Sequence, residues 1–313
     1  MTELLPHVAA FLSVAAPPRP WPTLTPDEAR AQLAASARGD DGAPDIATRD
    51  LAITRPDGSL LDVRIYGEAT DATDATDATV LVFLHGGGWV YGDLDMADGF
   101  CRRLADAAGV VVCSVDYRLS PEHKFPLALH DACTAIEWAH EHLAGGVPIG
   151  VIGSSAGGNL AIAATIIDCD DSSGRIGLHI PMCAVTDHSF DTESYREHAV
   201  GKFLSADDMH WYWSHYLSDE ADGSSPLVSV LRADLTGMPP ALVVTAELDP
   251  LCDEGEEYAR RLTDAGTPTT LVRHDGMIHA FPVLTAFSDE QARVITDVAA
   301  AVDAHLRLER SRR

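Results

Sequence analysis

Glycines stand two residues to either side of a serine in Gly153-Ser154-Ser155-Ala156-Gly157. A serine hydroxyl is a poor nucleophile unless it is held exposed beside a base, and a sharp strand-to-helix turn holds it so. The apolar run 148–152 precedes the motif and a helical pattern follows it, which is the context such a turn requires. Ser154 occupies the variable position, so the attack is assigned to Ser155. A second loop, His85-Gly86-Gly87-Gly88-Trp89, follows the apolar run 80–84. Three glycines leave backbone N–H groups unobstructed and tolerate positive φ. Such a loop can aim two donors at an oxyanion, and the N–H of Ala156 supplies a third. A phosphate-gripping loop is the rival reading. It fails because neither G-x-G-x-x-G nor G-K-[ST] is present and the chain is strongly acidic. His85 is read as a brace for the glycine loop rather than as a reacting group.

Acyl transfer at Ser155 requires a base and an orienting acid. The strand-like run 241–246 leads into Glu247-Leu248-Asp249-Pro250. That places Asp249 beyond a strand's carboxyl end, where parallel sheets build their sites. Glu247 and Asp253 compete for the role; Glu247 is nearer the strand, and Asp253 suits the start of a helix. The run 269–273 is followed by Asp275-Gly276-Met277-Ile278-His279, which puts His279 in a loop at the same edge. His274 is too close to the strand end to reach as far. The order Ser, Asp, His is the one used by nucleophile-elbow hydrolases.

These residues need a scaffold of alternating elements. Short apolar strands are expected near 80–84, 110–115, 148–152, 178–184, 241–246 and 269–273. Helices are expected near 96–108, 127–142, 156–168, 253–265 and 288–307. Strands apolar at every position are buried on both faces, which predicts an α/β fold with a mostly parallel central sheet flanked by helices. Ahead of it, residues 4–16 form a helix stopped by prolines. Thr25-Pro26-Asp27-Glu28 opens another with a capping box. Asp57-Gly58 joins strands 50–55 and 60–66 in a hairpin. Residues 71–79, Asp-Ala-Thr three times, read as a solvated loop. Residues 186–235 break the alternation and carry a helix at 205–217. There the stripe Met209, Tyr212, Trp213, Tyr216 and Leu217 is assigned to packing, and the off-stripe Trp211 to the pocket. The expected division is 1–45 as the N-terminal helical part of a cap, 46–185 as first core segment, 186–235 as cap insertion and 236–313 as second core segment.

Composition limits the partners. The 48 acidic residues against 22 basic ones give a formal charge of −26, and only Lys124 and Lys202 are lysines. Nucleic acid and anionic membranes need a basic footprint, so both are excluded as main partners. Six cysteines lack C-x-x-C spacing and are expected as buried reduced thiols. Glu122 and His123 have no motif partner, so no metal is expected. No apolar run reaches membrane-span length, and the N-terminus lacks a basic leader; a cytoplasmic location is expected.

From about residue 45 onward the chain resembles the hormone-sensitive-lipase-like (bacterial family IV) carboxylesterases of the α/β-hydrolase fold. The likeness rests on HGGGW (85–89), YRLSPEHKFP (117–126), GSSAG (153–157), DPLCDEG (249–255) and GMIHAF (276–281). It implies a Ser155–Asp249–His279 triad and an oxyanion hole from Gly87, Gly88 and Ala156. His85 and Gly86 support the glycine loop, and Trp89 and Trp211 are expected at the substrate. The first helices and the 186–235 insertion resemble the family's cap. Two positions depart from the family: Ser154, where Asp or Thr is frequent, and Ala280, where Gly is common. The implied activity is hydrolysis of short- to medium-chain acyl esters, with a small-molecule ester as partner and no cofactor. Family members are often dimers, though nothing in the sequence marks an interface. A lipase or amidase with the same triad, and a non-catalytic receptor on the same scaffold, are the alternatives.

Overall fold

A computed structural model of the chain describes residues 4–15, 17, 19–36, 42–68 and 78–307. The Asp-Ala-Thr stretch, apart from Ala78 and Thr79, lies outside the described residues. Two helices lead, α1 (Pro6–Ala15) and α2 (Pro26–Ser36). The second opens with the expected capping box. Glu28 N donates to Thr25 Oγ1 at 3.3 Å, and Thr25 N donates to Glu28 Oε2 at 2.9 Å. Two N–H groups that a helix start leaves open are satisfied in this way.

Strands β1 (Thr48–Thr54) and β2 (Leu60–Tyr66) form the antiparallel hairpin. Next come β3 (Val80–Leu84), α3 (Leu94–Ala108), β4 (Val111–Val115), α4 (Leu127–His142), β5 (Ile149–Ser154), α5 (Ala156–Asp170) and β6 (Ile176–Met182). The insertion contributes α6 (Glu193–His198) and α7 (Ala206–Tyr216). The chain returns through β7 (Ala241–Leu248), α8 (Cys252–Asp264), β8 (Thr269–Ile278) and α9 (Ser288–Val302), then widens into a π turn over Asp303–Arg307. The sheet order is β1-β2-β4-β3-β5-β6-β7-β8, with every pair from β4 to β8 parallel.

The reason for continuous rather than alternating strand hydrophobicity is visible in β3. Val80, Val82 and Leu84 enter one core with residues of α4, α5 and α8, while Leu81 and Phe83 enter the other with residues of α3 and α9. Successive side chains point to opposite faces, and both faces are covered. Two strand ends differ from expectation: β7 runs on to Leu248 and β8 to Ile278, which pair with each other. Hydropathy hid this because the register shifts between Ala246 and Leu248, and pairing resumes at Leu248 and Ile278 beyond the polar residues Glu247 and Asp275.

The expected cap segments meet in space. Trp211 Nε1 donates to Leu24 O at 3.2 Å, and the Phe11 and Phe203 rings lie 5.7 Å apart. From α2, Arg30 donates to Val90 O and Ser120 O, both at 2.9 Å, and to both Glu122 carboxylate oxygens at 2.7 Å. That accounts for Glu122 as an ion-pair partner. All six cysteines are unpaired; four are buried, while Cys133 and Cys169 are half-exposed, a departure from uniformly buried thiols. Among the described residues no helix is long and apolar enough to cross a membrane.

One buried carboxylate ties the hairpin to the sheet. Asp131 on α4 is fully buried and accepts from Arg55 Nε at 2.7 Å, Arg118 Nη2 at 2.8 Å and Arg118 N at 2.9 Å. Burial alone would raise its pKa, but the Arg55 and Arg118 hydrogen bonds outweigh burial and hold the carboxyl below its ordinary value. Removing one partner of such a cluster strands the other charges. Asp131→Ala is therefore expected to lower unfolding free energy by about 3–5 kcal/mol at pH 7, measured by urea denaturation. A depressed folded-state pKa contributes stability above the unfolded value of about 4 and loses it as pH falls through the folded value. The gap between variant and parent should accordingly narrow below pH 4.

Candidate active site

Because β5 ends at Ser154 and α5 begins at Ala156, the chain must turn at Ser155 alone. Ser155 takes φ 55° and ψ −118°, a conformation unfavourable for a residue with a side chain. It is held by Ser155 N donating to Met182 O at 2.9 Å, and by Asn159 N and Val185 N donating to Ser155 O at 3.1 and 3.4 Å. The motif's last glycine is required by contact: a Cβ on Gly157 would lie 2.0 Å from Leu84 O. The turn thus presses the start of α5 against the end of β3, where the glycine loop begins.

That loop is braced from beneath. His85 is buried, its Nδ1 lies 2.7 Å from Gly86 O, and its ring stacks on Tyr117 at 4.1 Å. Tyr117 Oη donates to His85 O at 2.7 Å. Burial pushes the His85 pKa down to about 4, so the neutral ring donates from Nδ1 to Gly86 O. Gly88 has φ 59°, and a Cβ there would lie 2.1 Å from the Tyr212 ring of α7. The N–H groups of Gly87, Gly88 and Ala156 donate none of the turn, loop or cap backbone hydrogen bonds among the described residues.

The three residues singled out for acyl transfer come together. His279 Nδ1 is 2.7 Å from Asp249 Oδ2, and His279 Nε2 is 3.0 Å from Ser155 Oγ. All three are buried. With the proton on Nδ1, the ring donates to Asp249 and accepts from the Ser155 hydroxyl, the order a general base needs. Asp249 Oδ1 also accepts from Leu251 N at 3.0 Å. The competitors lie elsewhere. Glu247 Oε2 accepts from Gly276 N at 2.6 Å, Asp253 Oδ2 accepts from Ser194 N at 2.8 Å, and His274 packs on Phe281 with ring centroids 4.7 Å apart. Ala280 stands at φ 63°, which explains why glycine suits that position.

Ser155, His279 and all three loop glycines line one cavity of about 400 Å³. Its walls are mainly apolar, among them Leu12, Phe83, Met96, Phe203 and Leu204, with Trp21, Tyr91, Tyr212 and Asp208 between them. A larger opening of about 1560 Å³ adjoins it, sharing Leu33, Tyr91, Met96, Val283 and Leu284 but no triad residue. That opening is lined by Asp45, Asp50, Asp93, Asp95, Asp98 and Asp116 against Arg30, Arg64 and Arg102.

Two substrate expectations need correction. Trp89 is fully buried, stacked on Tyr216 at 4.1 Å and 4.6 Å from Trp213, so it supports the loop from the core. Trp211 turns toward Leu24, which accepts its Nε1–H, and is not among the cavity-lining residues. Tyr212, assigned to packing by its place in the stripe, faces the cavity. Trp21, Tyr91 and Asp208 carried no signal, since only their contacts distinguish them from other aromatic and acidic residues.

Cys183, Asp249 and His279 bring donor atoms within 4.8 Å of one another, the one such grouping among the described residues. A zinc thiolate must be deprotonated. Burial first, then the Asp249 charge, pushes the Cys183 thiol well above its ordinary pKa, and the other two groups already bond each other. The set suits proton transfer better than metal ligation.

Comparison with known proteins bears on the fold and the family. Residues 81–283 match a family model described as the alpha/beta hydrolase fold. The chain is 35% identical to an ethyl acetate hydrolase from Pseudomonas putida, over 97% of this chain and 100% of that one. It is 39% identical to the carboxylic ester hydrolase LipN of Mycobacterium tuberculosis, over 72% of this chain but only 63% of that relative's length. A structure from work on two fungal esterases of Rhizomucor miehei superposes with a TM-score of 0.91 at 31% identity, covering all of both chains. The loop geometry yields a direct test. Gly88→Ala must displace either the Tyr212 ring or the loop, and is expected to cut turnover of a chromogenic ester by at least about 10²-fold, the effect of losing one oxyanion donor. Unchanged circular dichroism would show that the fold survives.

Proposed function

The chain belongs to the hormone-sensitive-lipase-like carboxylesterases of the α/β-hydrolase fold, and on that premise we propose that it hydrolyses short- to medium-chain acyl esters at Ser155 through an acyl-enzyme. The observation that carries the assignment is His279, hydrogen-bonded at 2.7 Å to Asp249 on one ring nitrogen and at 3.0 Å to Ser155 Oγ on the other.

In the proposed reaction His279 Nε2 takes the hydroxyl proton as Ser155 Oγ attacks the ester carbonyl carbon. Asp249 keeps the proton on Nδ1 and stabilises the imidazolium that forms. The carbonyl oxygen becomes an oxyanion facing the N–H groups of Gly87, Gly88 and Ala156. As the tetrahedral intermediate collapses, His279 returns the proton to the departing alkoxide and the alcohol leaves. Water then attacks the acyl-enzyme with His279 again as base, and the carboxylic acid is released as Ser155 regains its proton. A cavity of about 400 Å³ is in the range that encloses small ligands, which supports modest acyl and alcohol groups. The segments 1–45 and 186–235 are proposed as the cap that selects the substrate, because Leu12, Trp21, Asp208 and Tyr212 all reach the cavity from them. Six unpaired cysteines suit a reducing compartment, and the cytoplasm is the location proposed.

Ser155→Ala is expected to lower p-nitrophenyl ester turnover by about 10⁶-fold while leaving the protein folded. The parent should be labelled by a fluorophosphonate, and its kcat/KM should peak with acyl chains no longer than medium length. Full activity in the variant would overturn the assignment of Ser155. A profile rising to palmitate would identify a lipase instead.

A further inference from the structure

We propose that Asp208, together with the aromatic rings of Trp21, Tyr91 and Tyr212 that line the same cavity, makes that cavity selective for esters that carry a positively charged ammonium group. The inference rests on the esterase reading of Ser155 and specifies the substrate class for that site.

Asp208 is the acidic side chain that the cap places in the cavity wall, and it is only 8% exposed. As the third residue of α7 it closes a capping box, in which Ser205 N donates to Asp208 Oδ2 at 2.9 Å and Asp208 N donates to Ser205 Oγ at 3.1 Å. Capping uses one carboxylate oxygen. The other accepts no hydrogen bond among the described residues, and no arginine, lysine or histidine there forms a salt bridge with Asp208. Burial raises the Asp208 pKa; the Ser205 hydrogen bonds and, more weakly, the charge of the nearby His279 oppose that rise, and Asp207 adds to it. Such a charge is costly in a mostly apolar pocket, and a cation held there would offset the cost.

The neighbouring walls suit the same ligand. Trp21 and Tyr91 have ring centroids 5.4 Å apart, and Tyr91 meets Tyr212 edge-to-face at 5.8 Å. A hydrogen bond between the two tyrosine hydroxyls fixes their rings. Ammonium and quaternary ammonium groups are attracted to aromatic faces, and a nearby carboxylate adds Coulomb attraction to the same charge. Outside, the adjoining opening carries six aspartates against three arginines, and the whole chain has a formal charge of −26. That field raises the local concentration of cations and repels anionic esters before contact.

The test compares acetylcholine with 3,3-dimethylbutyl acetate, in which carbon replaces the charged nitrogen at nearly the same shape. Each kcat/KM is divided by that ester's alkaline hydrolysis rate, and the cation-to-neutral ratio is taken within each protein so that common losses cancel. The parent is expected to favour the cation by about tenfold at low salt. In Asp208→Asn, whose amide oxygen can still accept from Ser205 N, the ratio should fall toward one. A parent ratio near one overturns the proposal. A preference that survives in Asp208→Asn but vanishes with salt overturns the role of Asp208 and assigns discrimination to the long-range field. The parent alone supplies a second measurement: choline should inhibit hydrolysis of the neutral ester more strongly than 3,3-dimethylbutan-1-ol, and equal inhibition overturns the proposal. If the parent cleaves neither these esters nor p-nitrophenyl acetate, it is the esterase reading that fails.

Discussion

The backbone at Ser155 is bent into positive φ between a strand and a helix, and the rest of the site is arranged around keeping it there. Conformations of this kind cost on the order of 1–3 kcal/mol and persist only where neighbours over-determine them. Three backbone hydrogen bonds do so here, to Met182 O from Ser155 N and to Ser155 O from Asn159 N and Val185 N. Met182 closes β6, and Gly157 lies against the carbonyl of Leu84 at the end of β3. The turn therefore locks the carboxyl ends of three strands together. Nucleophile and glycine loop become neighbours through backbone contact before any side chain is considered.

The loop's own position is secured by a relay of ordinary interactions. Asp131 holds Arg118, the preceding residue, Tyr117, donates to His85 O and stacks on its ring, and His85 ties back to Gly86. Each link is buried or half-buried, where a hydrogen bond left unmade costs more than a surface contact gains. From above, Tyr212 closes over Gly88 so tightly that no Cβ fits between them. One residue of the 186–235 segment thus shapes both the glycine loop and the cavity. Acidity acts differently in the two regions. In the adjoining opening, Asp95 and Asp98 pair with Arg64, whereas Asp208 keeps a carboxylate oxygen with no hydrogen-bond partner among the described residues.

Legibility in the sequence followed the range of the interaction concerned. The capping box at Thr25 and Glu28, the hairpin at Asp57-Gly58 and the doubly buried strands are local patterns, and they were readable as such. Strand ends at Leu248 and Ile278 were not, because pairing between β7 and β8 resumes there only after a shift of register past polar residues. The insertion was hardest. In α7, Met209, Trp211, Tyr212, Trp213 and Tyr216 are all buried, so an apolar stripe could not tell which ring faces the cavity and which the core. Trp89 misled for the same reason: an aromatic beside a glycine loop suggests a substrate contact, yet a positive φ and a stack on Tyr216 turn it inward.

The sequence by itself determined the reacting groups, since a serine between spaced glycines, a glycine triplet after a strand and a later Asp and His in that order follow from what acyl transfer requires of residue types. It also determined the sheet-and-helix alternation, because burial on both faces is written residue by residue. The family resemblance pointed to Asp249 over Glu247 and Asp253, and the tertiary structure supplies the physical ground: Asp249 reaches His279, and the other two accept from Gly276 N and Ser194 N. The tertiary structure alone set Asp208 beside Trp21, Tyr91 and Tyr212 in one wall. Those residues come from segments well apart in the chain, and no local pattern records which distant side chains will share a cavity.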